Sequence, residues 1–222
     1  MIAGEPGTPE EAGIPGDPGT PLRDVPEHWP VASSTEDARG PIVTLRTDQV
    51  RMPDDAVVPR QVVRHPGAVA VVALDRADRV LLIRQYRHPV GRLLWELPAG
   101  LRDVAGEPLH LTAARELREE TGYQARDWRV LVDFYSSPGI STERIRVFLA
   151  RDLSLAPAAE RDYVRVHEEA QLMVTWVGLD RAVDGFTRGD LHNGVSAVGI
   201  LSAYAARRSG FAGLRPADAP ER

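Results

Sequence analysis

Cysteine and lysine are both missing from the 222-residue sequence. Without cysteine there is no disulfide, no thiolate-bound zinc or iron–sulfur cluster, and no thiol nucleophile. Without lysine there is no Schiff-base chemistry and no phosphate-binding lysine of the P-loop type. All 27 basic residues are therefore arginine.

Long apolar runs and an excess of positive charge are also lacking. The longest apolar-rich stretch, 195–206, contains serine and tyrosine and is too short to cross a bilayer. No apolar targeting segment is visible at the N-terminus. The net charge of −5 argues against sequence-independent nucleic-acid binding, although a metal ion could still attract a small anion. We therefore expect a cytoplasmic protein that binds neither membrane nor nucleic acid.

Composition divides the chain into four parts. Residues 1–40 are rich in proline, glycine and acidic residues and are predicted to form a disordered tail, because such a segment buries too little apolar surface to offset its ordering entropy. Residues 41–64 alternate apolar and polar side chains around Pro53-Asp54-Asp55, which predicts an N-terminal β-hairpin. Residues 65–210 form the main domain. Residues 211–222 are predicted to be a frayed tail.

The main domain combines two kinds of periodicity. Strands are predicted over 68–74, 79–86, 93–97, 128–135, 145–150 and 172–177. One central helix is predicted over 109–121, with Gly122 just past its end, and two more helices over 180–184 and 190–208. Strands dominate, so the fold class is mixed α and β.

A cluster of carboxylates lies on the predicted central helix. Glu116 and Glu120 are four residues apart and share one helix face, with Glu119 beside them. Three carboxylates so close together repel one another unless something neutralises them. A hard cation such as Mg²⁺ or Mn²⁺ prefers such oxygen ligands. The alternative from this run alone is a solvated helix face of mixed charge.

The spacing around this cluster is specific. Glu107, seven residues, and then Arg115-Glu116-Leu117-x-Glu119-Glu120-x-Gly122 resembles the signature of the Nudix hydrolases. Two positions depart from it: six residues instead of five separate Gly100 from Glu107, and Tyr123 replaces the usual aliphatic residue. Both leave the helix spacing untouched. Arg115 can hold Glu119, and Glu107 can steer Arg115 or bind metal through water.

The resemblance implies a fold and a reaction. Nudix domains are α/β/α sandwiches around a mixed sheet, and they hydrolyse nucleoside diphosphates linked to another moiety with Mg²⁺ or Mn²⁺. Pro138, sixteen residues past Gly122, and the segments 84–89 (RQYRHP) and 95–100 (WELPAG) are similar to the ADP-ribose pyrophosphatase group of actinobacterial type. That group cleaves ADP-ribose to AMP and ribose 5-phosphate. In members of this group, an N-terminal hairpin swaps onto the partner subunit and so extends the interface of a homodimer.

The resemblance also implies residue roles. Glu116 and Glu120 match metal ligands, Ala99 matches a backbone carbonyl ligand, and Glu119 is the third acidic member. Glu120 is also expected to be essential for catalysis. The residues expected to bind substrate are Arg87, Glu96, Leu101 and Glu143. For Arg87 a surface salt bridge is the alternative, and Glu96 could orient the terminal ribose or pair with an arginine. Leu101 could border the substrate or merely pack there, and Glu143 could reach the site of a partner subunit.

The expected general base lies far downstream. In the group this base is a glutamate on a mobile loop, and Glu169 in His167-Glu168-Glu169-Ala170 matches best, with Glu168 as the second choice. Glu169 would also reach the metal ions after loop closure. An ordinary charged loop is the alternative.

Two other functions compete with ADP-ribose hydrolysis. One is a pyrophosphatase for another nucleoside diphosphate sugar, such as ADP-glucose or GDP-mannose. The other is a sensor that binds ADP-ribose without cleaving it. Such sensors usually carry a degraded signature and a DNA-binding extension, whereas the carboxylates here are intact. A purely structural module would leave the carboxylate cluster unexplained.

Overall fold

The computed structural model describes residues 22–160 and 172–221. Within these ranges the helices are α1 (Leu109–Thr121), α2 (Leu179–Thr187) and α3 (Gly194–Arg207). The strands are β1 (Val31–Arg39), β2 (Thr44–Arg51), β3 (Val57–Arg64), β4 (Ala68–Ala73), β5 (Arg79–Arg87), β6 (Arg92–Glu96), β7 (Ala99–Leu101), β8 (Tyr123–Tyr135), β9 (Arg144–Leu155), β10 (Met173–Gly178) and β11 (Arg215–Pro216).

The central sheet has the strand order β11-β8-β9-β4-β7. Strands β4 and β9 run parallel, with Ala68 opposite Ile145, and the other pairs are antiparallel. The apolar run of β4 is buried on both sides of the sheet, which explains its lack of polar alternation. The predicted mixed sheet is confirmed.

Helices cover both faces of this sheet. On one face α1 packs on a buried cluster of Val69, Val71, Ala73, Leu81, Ala113, Leu117, Val130, Phe148 and Ala150. On the other face α2 and α3 pack on a second cluster, which includes Val72, Val147, Leu149, Leu179, Ile200 and Ala203. Successive residues of β4 and β9 alternate between the clusters, as strand geometry requires. The predicted α/β/α sandwich is confirmed. No helix within the described ranges is long and apolar enough to span a membrane.

Two smaller antiparallel sheets complete the fold. One has the order β10-β5-β6 and the other the order β1-β2-β3. The predicted hairpin corresponds to β2 and β3, whose register pairs Thr44 with Arg64 and Arg51 with Val57. Hydrogen bonds tie the end of β3 to the loop after β8, because Val63 N–H donates to the Ile140 carbonyl at 2.8 Å.

The prediction of a disordered tail over 1–40 is wrong for residues 31–39. These residues form β1, which pairs antiparallel with β2 along its length. Every residue of β1 is exposed, so the strand has no buried face to produce an apolar alternation. Cross-strand contacts hold it instead: Ser34 Oγ donates to Asp48 at 2.6 Å, and Thr47 Oγ1 donates to Asp37 at 2.6 Å.

The prediction of a frayed tail over 211–222 is also wrong for residues 211–221. We call residues 211–221 the strap. Within it, β11 pairs with β8, Leu214 packs against the cluster beneath α2 and α3, and the Ala219 carbonyl accepts a hydrogen bond from Arg146 Nη1 at 2.6 Å. The strap contains little local periodicity, because contacts with distant residues fix it.

Candidate active site

Helix α1 presents two glutamates to the edge strand β7. The helix follows Pro108 and ends at Gly122, whose φ of 74° is the left-handed conformation that glycine adopts most easily. Ala113 and Leu117 are fully buried, and this burial fixes the rotation of the helix. Glu116 and Glu120 consequently share one helix face, as the sequence predicted, and this face is turned toward β7.

Glu120 is joined directly to the backbone of β7. Its side chain is buried, and Oε2 accepts a hydrogen bond from Ala99 N–H at 2.9 Å. The neighbouring bond from Val71 N–H to the Pro98 carbonyl, 2.8 Å, makes Ala99 a non-hydrogen-bonded position of the antiparallel ladder. The N–H and carbonyl of Ala99 therefore both point away from β4. This geometry fits the expected use of the Ala99 carbonyl as a ligand.

Glu116 lies against the backbone of Gly100. A Cβ atom at Gly100 would come within 2.1 Å of Glu116 Cδ, so only glycine leaves room for this carboxylate. Burial raises the pKa of Glu116 to about 7. Arg115 opposes that rise, whereas the charges of Glu119 and Asp103 add to it. The structure thus holds a carboxylate where its charge is disfavoured without further positive charge.

Arg115 organises the acidic groups around α1. Its Nη1 donates to Glu116 Oε1 at 2.7 Å and lies 3.6 Å from Glu119 Oε2. Its Nη2 lies 3.3 Å from both Glu107 and Asp103. The predicted contacts with Glu119 and Glu107 are thus present. The contacts with Glu116 and Asp103 were missed, although Asp103 lies in the same loop as Glu107.

The donor set fits a hard divalent cation. Two glutamates and a backbone carbonyl supply only oxygen atoms, and the Gly100 backbone leaves Glu116 room to lie beside them. Among the described residues, no three His, Asp or Glu side chains converge as a preformed metal site. Arg115 accounts for this, because it draws Glu119 and Glu116 toward itself.

Arg87 and Glu96 form an ion pair on the neighbouring small sheet. Arg87 Nε donates to Glu96 Oε1 at 2.9 Å, and Nη2 donates to Oε2 at 2.6 Å. Gln85 Nε2 also donates to Glu96, at 3.1 Å, a contact that was not predicted. The Glu96 side chain is 3% exposed and that of Arg87 is 46% exposed. The buried carboxylate therefore orients a guanidinium whose outer part can reach a ligand.

The two remaining residues predicted to bind substrate, Leu101 and Glu143, lie at the end of β7 and just before β9 in the central sheet. Leu101 ends β7 and is partly buried. Glu143 immediately precedes β9 and accepts a hydrogen bond from Ser136 Oγ. His65 Nδ1 lies 3.6 Å from Glu143, but it accepts a hydrogen bond from Gly67 N–H at 3.0 Å. His65 therefore presents a lone pair, not a proton, at that nitrogen. Glu168 and Glu169 lie outside the described residues.

Comparison with known proteins identifies the family. A family model described as the NUDIX domain matches residues 64–193, which include β7, α1 and the loop after β8. The chain belongs to the Nudix family. The Nudix helix is α1, and the sequence prediction of this family is confirmed.

Individual Nudix relatives are close. An ADP-ribose pyrophosphatase from Mycobacterium tuberculosis is 50% identical over 179 residues, covering 81% of this chain and 84% of that protein. An ADP-ribose pyrophosphatase from Bacillus subtilis is 40% identical over 116 residues, 52% of this chain and 62% of that protein. A solved ADP compounds hydrolase superimposes with a TM-score of 0.70 at 18% identity, covering 85% of this chain and 98% of that one. The last comparison shows the shared fold.

Proposed function

We propose that this Nudix hydrolase cleaves the diphosphate bond of ADP-ribose to AMP and ribose 5-phosphate. The observation that carries the proposal is the placement of Glu116 and Glu120 against Ala99 and Gly100. The substrate is supported by the ADP-ribose pyrophosphatase that shares 50% identity over 81% of this chain.

The residues that would hold Mg²⁺ or Mn²⁺ are Glu116, Glu120 and the Ala99 carbonyl, with Glu119 and Glu169 as further ligands. A divalent cation bound there supplies positive charge to the diphosphate and makes a water molecule more acidic. The raised pKa of Glu116 favours this use, because added positive charge would shift the carboxyl toward its ionised form near neutral pH. Arg115 supplies part of that positive charge through its contacts with Glu116 and Glu119.

Arg87, Glu96, Leu101 and Glu143 are proposed to bind the substrate. Arg87 is the only arginine in this set, and its guanidinium suits the diphosphate oxygens. Glu96 keeps that guanidinium in place by accepting hydrogen bonds from Nε and Nη2 of Arg87. Leu101 borders the substrate at the end of β7. Glu143 contacts the substrate from the start of β9.

Glu169 is proposed as the general base that accepts the proton of the attacking water. This route needs no covalent protein intermediate, which fits the absence of cysteine and lysine from the chain. Glu169→Gln and Glu168→Gln are matched variants of adjacent residues. We expect the first to lower kcat strongly and the second to change it little; the reverse result would make Glu168 the base.

A homodimer is also proposed, built on the sheet β1-β2-β3. In this sheet every residue of β1 is exposed. A second copy of the chain would cover it. Light scattering at micromolar concentration should give twice the 24.3 kDa mass of the chain, and a monomer would contradict the proposal.

A substrate panel tests the proposed activity. ADP-ribose, ADP-glucose, GDP-mannose, NADH and diadenosine polyphosphates would be incubated with and without Mg²⁺ or Mn²⁺, and the products resolved by chromatography. We expect metal-dependent release of AMP and ribose 5-phosphate, with the highest kcat/KM for ADP-ribose. A higher kcat/KM for another compound would support hydrolysis of a diphosphate bond but identify that compound as the preferred substrate. Tight ADP-ribose binding without turnover of any compound would indicate a sensor.

A further inference from the structure

The strap crosses the central sheet from one edge to the other. It pairs with β8 through β11, at Arg215 opposite Val130. Further along, the Ala219 carbonyl bonds to Arg146 of β9. Glu221 then reaches Arg102, the residue that follows β7, with Glu221 Oε1 at 3.2 Å from Nη1. The strap therefore runs across the central sheet from β8 to the end of β7.

From Ala217 onward, the strap lies on the same face of the sheet as the Nudix helix. Ala217 and Ala219 pack against the buried cluster that contains Ala113 and Leu117 of α1. In β9, Arg146 lies between Ile145 and Val147, whose side chains belong to the cluster beneath α2 and α3. Because successive side chains of a strand point to opposite faces, the Arg146 side chain points to the α1 face. The strap and α1 are thus neighbours on one surface of β9 and β4.

Buried ion pairs anchor the strap. Arg146 is 3% exposed and donates to Asp133 through Nε at 2.6 Å and Nη2 at 3.0 Å. Arg215 Nη2 donates to the same carboxylate at 2.9 Å. Burial alone would raise the pKa of Asp133, but the hydrogen bonds from both arginines outweigh it and hold the pKa below its ordinary value. The Asp133 carboxylate is therefore ionised near neutral pH.

Glu221 bridges two segments that carry proposed substrate residues. Its Oε1 lies 3.2 Å from Arg102 Nη1 and 3.6 Å from Arg144 Nε. Arg102 follows Leu101 directly, and Arg144 follows Glu143 directly. Gly67, just before β4, lies between the two segments: a Cβ atom there would lie 3.0 Å from Arg102 Cδ and 2.9 Å from the Arg144 carbonyl oxygen.

We propose that Glu221 is a positioning residue for the active site: by joining Arg102 to Arg144, it fixes the distance between Leu101 and Glu143 across the substrate. This role rests on the proposed function. Glu221 does not itself touch the substrate. It acts because the anchored strap brings its carboxylate to both arginines, and each arginine is one residue from a substrate contact.

The test compares Glu221→Gln with Asp218→Asn. Asp218 is an exposed acid on the same strap, and the structure records no hydrogen bond or ion pair between its side chain and another described residue. Each variant removes one negative charge from the strap. We expect Glu221→Gln to raise the KM for ADP-ribose about tenfold with kcat within about twofold of wild type, since uniform binding is lost. Asp218→Asn should match wild type.

Amide hydrogen exchange provides a readout that does not depend on turnover. In Glu221→Gln, amides of 99–102 and 136–144 should exchange at least about fivefold faster, while those of α1 keep their protection. Arg102→Gln should also raise KM, and the double variant should raise it by less than the product of the two single effects.

The outcomes separate this inference from the proposed function. If wild-type protein turned over no compound of the panel, the proposed function would be wrong. Amide hydrogen exchange of 99–102 and 136–144 would then be the measurement that tests whether Glu221 holds the two segments. If wild type is active, but Glu221→Gln and Asp218→Asn have the same KM for ADP-ribose and the same amide exchange rates, the positioning role of Glu221 would be overturned. A raised KM accompanied by faster exchange throughout the domain, or faster exchange without a change in KM, would show a purely structural contact and also overturn it.

Discussion

Replacing Glu116 by glutamine should stabilise the metal-free protein while abolishing its activity. Burial raises the pKa of Glu116 to about 7, from 4.5. Since one pKa unit corresponds to about 1.36 kcal/mol, keeping this buried carboxylate ionised costs on the order of 3 kcal/mol at pH 8. Glutamine removes the charge but keeps an oxygen for the 2.7 Å hydrogen bond from Arg115.

The sign of the pH dependence follows from the raised pKa. The protonated carboxyl is favoured in the folded state, so its contribution to stability is fully present below pH 4.5 and is lost as the pH rises through 7. The stability difference between Glu116→Gln and wild type should therefore be near zero at pH 4.5. It should grow to about 3 kcal/mol in favour of the variant at pH 8.

Urea denaturation with a chelator, at several pH values between 4.5 and 8, measures this difference. Glu107→Gln is the matched control: a hydrogen bond from Thr112, with help from Arg115, lowers the pKa of Glu107, so that this variant should lose stability above pH 4.5. Added Mg²⁺ or Mn²⁺ should stabilise wild type more than Glu116→Gln. If Glu116→Gln were less stable than wild type at pH 8 without metal, or if its gain did not depend on pH, the reasoning would be refuted.

Two further predictions concern packing around the site. Asp133→Asn should lower the free energy of unfolding by about 3 kcal/mol at pH 7, because it leaves Arg146, 3% exposed, without its carboxylate. Since the folded-state pKa of Asp133 is depressed, this contribution should fade as the pH falls below 4, and urea titrations that show no such loss would contradict it. Gly100→Ala should lower kcat/KM at least about 100-fold by displacing Glu116, whereas Gly194→Ala, where a Cβ meets nothing within 4 Å, should not. Equal kcat/KM values would show that Glu116 can move without consequence.

Local sequence features predicted the catalytic helix well. The apolar spacing of Ala113 and Leu117 and the glycine after Thr121 define α1 over the residues that the structure shows. Gly100 and Glu116 are sixteen positions apart, and their close contact depends on how β7 meets the helix. The signature predicted Glu116, whereas Gly100 lies one residue before the position of the signature's glycine, and only the structure shows that Glu116 lies against it.

Segments held by distant contacts escaped prediction. Strand β1 has no buried face, and β11 is two residues long and depends on β8. Strands β8 and β9 extend several residues past the predicted ends, because they pair with each other beyond the buried part of the sheet. Likewise, Arg115 contacts Asp103 only after the loop folds back onto α1. Pairing and loop geometry of this kind leave no periodic pattern in the chain.

Turnover of Glu120→Gln with ADP-ribose tests the central claim most directly. Glu120 is buried and bonded to Ala99, and glutamine preserves its size and an acceptor oxygen. With saturating Mg²⁺ or Mn²⁺ and a wild-type control in the same assay, the account predicts that kcat falls by orders of magnitude while the melting temperature stays near that of wild type. Near-normal kcat in the folded variant would contradict the assignment of Glu120 to the metal-binding and catalytic site.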